Sequence, residues 1–119
     1  MSDETRARAP EELAALFNRR ANAGDVEGLV ALYEPDAVLA AGRVVATGHA
    51  EIRTFYAALL ARKSDFPAPE TPPPLRNGAL AMTFARLPHG AFSVEVAREQ
   101  PDGTWLWAID QLKLAPPKA

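Results

Sequence analysis

The fold of this chain is decided by the stretch Asn22-Ala23-Gly24-Asp25-Val26-Glu27-Gly28-Leu29-Val30-Ala31-Leu32-Tyr33-Glu34-Pro35-Asp36-Ala37-Val38. Gly24 is a typical stop for a first helix, because glycine adopts the left-handed conformation that ends helices. Asp25 can cap a second, short helix that extends to Tyr33. Pro35 and Asp36 then turn the chain into a strand. One short segment thus predicts a helix end, a tight joint, a second helix and the start of a strand.

Further helices lie on both sides of this segment. A first helix is predicted over residues 10–23. Gly48 opens a third helix, whose apolar residues recur at helical spacing: Ile52, Phe55, Tyr56, Leu59 and Leu60. Two short strands are predicted over residues 37–41 and 44–47, before that third helix.

The second half of the chain carries strand patterns. The proline-rich residues 67–74 cannot form a central strand, because proline has no N–H to donate to a neighbouring strand. Strands are predicted over 75–77, 79–87, 91–99 and 104–114, with turn signals at Pro88-His89-Gly90 and Pro101-Asp102-Gly103. Helices followed by an antiparallel meander predict an α+β fold with helices on one face of a curved sheet.

Length, composition and charge exclude several classes of function. The 119 residues suit one domain, and 48% apolar with 24% charged residues are typical of a globular protein. A net charge of −2 favours neither nucleic acid nor an anionic membrane as a partner. The chain has no cysteine, no long apolar run and no apolar signal core, so we expect a cytoplasmic protein. Two histidines far apart in sequence predict no metal site, and no cofactor is expected.

Two segments resemble the same family. The stretch quoted above and the helix start Gly48-His49-Ala50-Glu51-Ile52-Arg53-Thr54-Phe55-Tyr56 resemble the ketosteroid isomerase-like, or SnoaL-like, branch of the nuclear transport factor 2-like superfamily. The resemblance covers about residues 10–114 and implies one SnoaL-like domain over residues 1–119. It also implies a cystatin-like cone, in which a curved antiparallel sheet wraps around N-terminal helices and leaves a pocket.

The isomerase's own machinery is matched only in part. Its oxyanion-binding tyrosine on the first helix is matched by Phe17, and its general-base aspartate by Ala41. Its second oxyanion donor is matched by Glu95 or by Asp110, and both alternatives stay open. The resemblance therefore implies the pocket without the isomerase's proton shuttle. Two further aromatic positions of the family are matched by Tyr33, on the second helix, and Tyr56, on the third.

Pairing the strands around two tight turns gives a map of the sheet. If the turns are centred on Pro88-His89 and Pro101-Asp102, one face carries Met82, Phe84, Arg86, Ser93, Glu95, Ala97, Leu106, Ala108, Asp110 and Leu112. The resemblance places this face toward the pocket. We therefore predict catalytic carboxyls and substrate-binding residues as follows: Asp110 and Glu95 for catalysis, and Phe17, Tyr33, Tyr56, Met82, Phe84 and Arg86 for the substrate.

Two carboxyls in such a pocket would push their pKa values apart, leaving one as acid and the other as base. Arg86 has a long side chain that would reach Asp110. The alternative is that Arg86 is a solvated residue at the rim of the sheet. A slip of one residue in a strand would exchange the two faces.

The opposite sheet face predicts a partner. It would carry an apolar patch too large for open water: Phe92, Val94, Val96, Trp105, Trp107 and Ile109. We expect a homodimer built on this outer face, which members of the family commonly use.

Two hypotheses for function follow. The first is a pocket protein that binds a small hydrophobic, oxygenated ligand, with isomerase, dehydratase or hydrolase chemistry and no cofactor. The second is a non-catalytic binding or dimerisation module with a vestigial pocket. Phe17 and Ala41, which replace the isomerase's donor and base, favour the second.

Overall fold

The computed structural model describes residues 5–114, and residues 1–4 and 115–119 lie outside the described part. The elements follow in the order α1 (Glu12–Asn22), α2 (Val26–Val30), β1 (Tyr33–Ala41), β2 (Val44–Thr47), α3 (Gly48–Arg62), β3 (Leu75–Asn77), β4 (Leu80–Arg86), β5 (Phe92–Glu99) and β6 (Trp105–Leu114). A short 3-10 turn, Pro88–Gly90, joins β4 to β5. The predicted α+β class is confirmed.

The strands form one curved sheet with the order β2-β1-β6-β5-β4-β3. All neighbours pair antiparallel except β1 and β6, which run parallel. The sheet is therefore mixed, whereas the sequence predicted an antiparallel one. This parallel pair closes the fold, because it joins the helical half to the meander of β4, β5 and β6.

Local chemistry fixes the joint between α1 and α2. Gly24 has a φ of 69°, in the left-handed region that glycine adopts without strain. The Asp25 carboxylate accepts a hydrogen bond from the Gly28 N–H at 2.9 Å and so caps α2, as predicted. A Cβ at position 28 would lie 2.2 Å from that carboxylate. Only glycine therefore fits inside this cap.

The core lies between the helices and the concave face of the sheet. Leu13 and Leu16 of α1 and Ile52 of α3 pack there with Leu39 of β1. Both tryptophans of β6, Trp105 and Trp107, are also buried in this cluster, at 1% and 3% exposed. The prediction that they lie on the outer face is wrong.

The turn between β4 and β5 explains one part of the register. Leu87 N–H donates to Ala91 O at 2.7 Å, so the loop has three residues instead of the two expected. Thr83 consequently pairs with Glu95, and Met82 with Val96. One extra loop residue moves every β4 side chain to the opposite face.

A bulge in β6 explains the tryptophans. Gln100 N–H donates to Thr104 O at 2.7 Å, so this loop is also one residue longer than expected. The register then shifts again between Val96 and Ala97, where Ala108 is the extra residue of β6. The β6 side chains that precede Ala108 therefore lie on the face opposite to the predicted one. Asp110, which follows the bulge, faces the interior as predicted.

Two further features bear on the site. Tyr33, which the sequence placed on the second helix, is the first residue of β1, because α2 ends at Val30. Within residues 5–114, no helix is long and apolar enough to cross a membrane.

Candidate functional site

Two carboxyl groups face each other across the concave side of the sheet. Glu95 of β5 and Asp110 of β6 are directly opposite in the antiparallel ladder. Their side chains are 5% and 2% exposed, so both are removed from water. Residues opposite each other in a ladder have Cβ atoms about 5 Å apart. Two acids this close and this deeply buried do not both carry a charge without strong repulsion.

A chain of tyrosines ends on Asp110. The Tyr33 hydroxyl donates a hydrogen bond to Asp110 Oδ2. The Tyr56 and Tyr33 hydroxyl oxygens are 2.6 Å apart. A hydroxyl has only one hydrogen, and that of Tyr33 goes to the carboxyl, so Tyr56 is the donor to Tyr33. The order of donation is therefore Tyr56 to Tyr33 to Asp110.

A second chain ends on Glu95. The Trp107 indole N–H donates to Thr83 Oγ1 at 3.3 Å, and the Thr83 hydroxyl donates to Glu95 Oε1 at 2.5 Å. Thr83 is buried at 8% exposure and lies directly opposite Glu95 on β4. Each of the two acids is thus the terminal acceptor of its own chain of donors.

Burial controls the proton affinity of the site. Desolvation raises the pKa of Asp110 well above its ordinary value, and the nearby Glu95 raises it further, against the lowering effect of the Tyr33 hydrogen bond. Desolvation also raises the pKa of Glu95, while the Ser93 and Thr83 hydroxyls pull it down. The pKa values of Tyr33 and Tyr56 are raised well above the usual value, first by burial, so both phenols stay neutral.

One oxygen of the site has no partner. Asp110 Oδ1 is buried and makes no hydrogen bond to any residue that the structure describes. Buried polar atoms in folded proteins are nearly always paired, and an unpaired one costs about 1–3 kcal/mol. This oxygen of Asp110 is therefore available to a further hydrogen-bond partner.

Aromatic rings surround the two tyrosines. The Phe17 ring lies 5.8 Å from the Tyr56 ring and 6.1 Å from the Trp107 ring, in edge-to-face contacts. Tyr33 lies 5.4 Å from Trp107. Phe17 thus lies beside Tyr56 and Trp107 and contributes no hydroxyl.

A groove beside the start of α1 shares one residue, Thr83, with this site. It encloses about 310 Å³ and is lined by Pro10, Glu11, Ala14, Thr71, Pro72, Pro73, Pro74, Thr83 and Phe84. Thr83 belongs both to the groove and to the chain of donors that ends on Glu95. The proline-rich segment forms one wall, and it is held on β4 by paired backbone hydrogen bonds between Glu70 and Arg86 at 3.1 and 2.7 Å.

The structure brings together five of the predicted site residues: Asp110, Glu95, Phe17, Tyr33 and Tyr56. The roles proposed for them stay predictions. Three others lie elsewhere, because β4 is shifted by one residue. Met82 faces out and is 40% exposed, and Phe84 shares that face and is half-buried. Arg86 lies 4.0 Å from Glu70 in an exposed ion pair, so it does not reach Asp110.

Two residues of the site were missed from the sequence. Thr83 and Trp107 were assigned to the outer face, and both lie inside. The sequence alone could not place Thr83 inside, because the face that Thr83 occupies depends on the length of the loop between β4 and β5. Within residues 5–114, no group of three or more side chains is placed to hold a metal ion.

No protein-family model matches the chain, and no curated protein matches it. Solved structures do match. A ketosteroid isomerase-like protein from Erwinia carotovora atroseptica superposes with a TM-score of 0.72 at 23% identity, over 89% of this chain and 94% of that one. A protein of unknown function with a cystatin-like fold from Nostoc punctiforme superposes with a TM-score of 0.71 at 22% identity, over 89% of this chain and 88% of that one. A putative calcium/calmodulin-dependent protein kinase type II association domain from Thiobacillus denitrificans superposes with a TM-score of 0.79 at 12% identity, over 97% of this chain and 100% of that one.

Other structural neighbours are nuclear transport factor 2-like proteins of cystatin-like fold. This chain therefore has the fold that the sequence resemblance implied. At these identities the comparisons establish the fold alone, and proteins that share a fold differ widely in function.

Proposed function

We propose that this chain binds a small, mostly hydrophobic molecule between its helices and the concave face of the sheet. In this proposal the Glu95–Asp110 pair receives the polar group of the ligand, and Phe17, Tyr33 and Tyr56 surround it. The observation that carries the proposal is the unpartnered, buried oxygen of Asp110. A fold that gained only stability from this position would favour an apolar residue there, because a buried acid is costly.

The same pair suits acid–base chemistry without a cofactor. Burial and mutual repulsion separate the proton affinities of the two acids, so that one can donate a proton while the other accepts one. An acid and a base placed in this way can serve isomerase, dehydratase and hydrolase reactions. Ala41 and Phe17 replace the two groups that ketosteroid isomerases use, so we expect no steroid isomerisation of the usual type.

A thermal-shift screen tests the binding proposal. Ligands that bind only the folded state raise the melting temperature. We expect hits among hydrophobic ketones, lactones, epoxides or amines that stabilise the wild type and lose most of that effect in Asp110→Asn. The exposed carboxylate variant Asp102→Asn is the matched control and should keep the full shift. Hits that stabilise all three proteins equally would place the ligand elsewhere and contradict the proposal.

The alternative function, a dimerisation module, is favoured by the outer face. We define the convex row as five apolar side chains in cross-strand register: Val38, Ile109, Val96, Met82 and Leu75. Four of them are 36–69% exposed in the single chain. An apolar row across five strands is costly in water, and a second copy would cover it with the same row. The solved structure described as an association domain has this fold, which adds weight to the alternative.

The two functions are compatible, since they use opposite faces of the sheet. The structure corrects the predicted patch: Trp105 and Trp107 leave it, and Val38, Met82 and Leu75 join Val96 and Ile109 in the convex row. The mass of the protein in solution tests the dimer independently of ligand binding.

A further inference from the structure

The groove borders the carboxyl pair at Thr83, which lines the groove and donates to Glu95, and the candidate binding surface consists of the groove wall and the two acids behind it. Four prolines line the groove, and a proline has no backbone N–H: Pro10, Pro72, Pro73 and Pro74. Thr83 connects the groove to Glu95, but its hydrogen is already given to the Glu95 carboxyl. A ligand in the groove therefore meets Thr83 as an acceptor only.

The donors around the carboxyl pair are spent in the same way. The indole N–H of Trp107 is used by Thr83, and the hydroxyl of Tyr33 is used by Asp110. The Tyr56 hydrogen is used by Tyr33, as counting the hydrogens showed. Every one of these donors points along a chain toward an acid, so none of them is left for a ligand.

Acceptors, in contrast, are left over. Asp110 Oδ1 is buried without a partner in the described part of the chain, and the Glu11 carboxylate borders the groove. No ion pair within residues 5–114 reaches Glu95 or Asp110. The cation that the sequence suggested, Arg86, pairs with Glu70 on the exterior. The surface thus combines unused acceptors, acidic groups and apolar walls.

We infer that this surface binds an organic ammonium ion, a molecule with an apolar body and one protonated amine. The inference rests on the proposed binding function and names its ligand class. The apolar body lies against the prolines, Ala14 and Phe84, and the ammonium N–H groups donate to Asp110 Oδ1 and the Glu95 carboxyl. Tyr33 and Trp107, whose rings lie 5.4 Å apart, belong to the two donor chains that end on this pair.

Such binding couples to a proton. Burial raises the pKa of both acids, and a bound cation favours their ionised forms, so binding releases protons from any acid that is still protonated. The titratable groups that face the pair are Tyr33 from β1 and Tyr56 from α3, while Glu11 borders the groove, and both tyrosines stay neutral. Affinity for the ammonium ion should therefore rise as pH rises and the acids ionise. A neutral ligand that only accepts hydrogen bonds should show the opposite trend.

Three probes with closely similar phenylalkyl bodies test the inference: phenylbutylamine, benzylacetone and phenylbutyrate. Binding is followed by the NMR signal of the Trp107 indole N–H. We expect the amine to bind at least about tenfold more tightly than the ketone at neutral pH, and its affinity to fall on acidification. Glu95→Gln and Asp110→Asn should each weaken the amine about tenfold or more, whereas the exposed Glu70→Gln should not.

The outcomes separate the two proposals. A ketone or carboxylate that moves the Trp107 signal and binds as tightly as the amine would overturn the ammonium inference and leave the binding function standing. An amine whose affinity is independent of pH in the wild type would also overturn it, whether or not the variants fold. If no probe moves the Trp107 signal at millimolar concentration, the inference and the proposed site both fail.

Discussion

At the residue scale, hydroxyl groups set the proton affinity of the two acids. The Thr83 and Ser93 hydroxyls lower the pKa of Glu95 against the effect of burial, and the Tyr33 hydroxyl does the same for Asp110. Burial is still the larger effect for both acids. The site therefore raises the pH at which its acids ionise above that of exposed carboxyls.

Thr83→Val tests this balance at one hydroxyl. Valine keeps the shape of threonine but cannot donate, so the pKa of Glu95 should rise above its wild-type value. The Trp107 N–H also loses its acceptor, which should cost about 1–3 kcal/mol of unfolding free energy. Titration of the Glu95 side-chain carbon by NMR measures the first effect. Thr83→Ser restores the hydroxyl and should return the pKa to the wild-type value; an unchanged pKa in Thr83→Val would contradict the hydrogen bond.

At the scale of elements, the bulge at Ala108 decides which side chains reach the site. In a regular strand, residues 107 and 109 would share one face. Here Trp107 is 3% exposed and Ile109 is 53% exposed, because the extra residue reverses the alternation between them. Without the bulge, Asp110 would face outward, and Glu95 would have no acid opposite it.

Two alanine substitutions in β6 test this reversal. Trp107→Ala removes a buried ring from the core and should lower the unfolding free energy by about 3–5 kcal/mol. Ile109→Ala, two residues away, should change it by less than about 1 kcal/mol when both variants are measured at a protein concentration low enough for the wild type to be monomeric. Denaturant unfolding measures both. Comparable losses for the two variants would indicate a strand without the bulge.

The strand patterns predicted where the strands lie in the sequence. The side chains that face the site were predicted only in part, because the loop lengths were wrong. The pattern of β5 placed Ser93, Glu95 and Ala97 inside correctly, and helical spacing placed Tyr56 in the interior. Faces of β4 and of the first part of β6 were wrong, because each hairpin loop is one residue longer than a two-residue turn. Loop length and bulges depend on packing across the whole sheet, which local sequence does not report.

At the scale of the whole molecule, the sheet separates two chemistries. Its concave side holds the acids and aromatic rings under the helices. Its convex side presents the convex row to solvent in the single chain. The short helices α1 and α2 and the longer α3 cover only the concave side, so the described part of the chain leaves the convex side uncovered.

We predict that Ile109→Glu weakens or abolishes a homodimer. A glutamate at the centre of the convex row would place an unpaired charge in an apolar interface, which is costly on association. Light scattering coupled to size-exclusion chromatography measures the mass. Val44→Glu is the control, because Val44 is 50% exposed at the end of β2 and lies outside the row. A wild type that is monomeric at micromolar concentration would contradict the prediction.

Asp110 is a buried acid whose pKa rises on folding, first because burial disfavours its charged form. A carboxyl whose pKa is raised on folding stabilises the fold fully below the unfolded pKa of about 4, and that contribution is lost as pH rises through the folded pKa. Asparagine does not titrate. Asp110→Asn should therefore gain stability relative to the wild type as pH rises from about 4 to neutrality.

The most direct measurement is the unfolding free energy of the wild type and Asp110→Asn across this pH range. We expect the difference to grow with pH and to exceed about 1 kcal/mol at neutral pH, equivalent to about 4 °C in melting temperature. Asp102→Asn is the control, because hydrogen bonds from Thr104 lower the pKa of the exposed Asp102. The stability of Asp102→Asn relative to the wild type should therefore fall, not grow, as pH rises. A wild-type stability that stays level with, or rises above, that of Asp110→Asn toward neutral pH would contradict the buried acid pair.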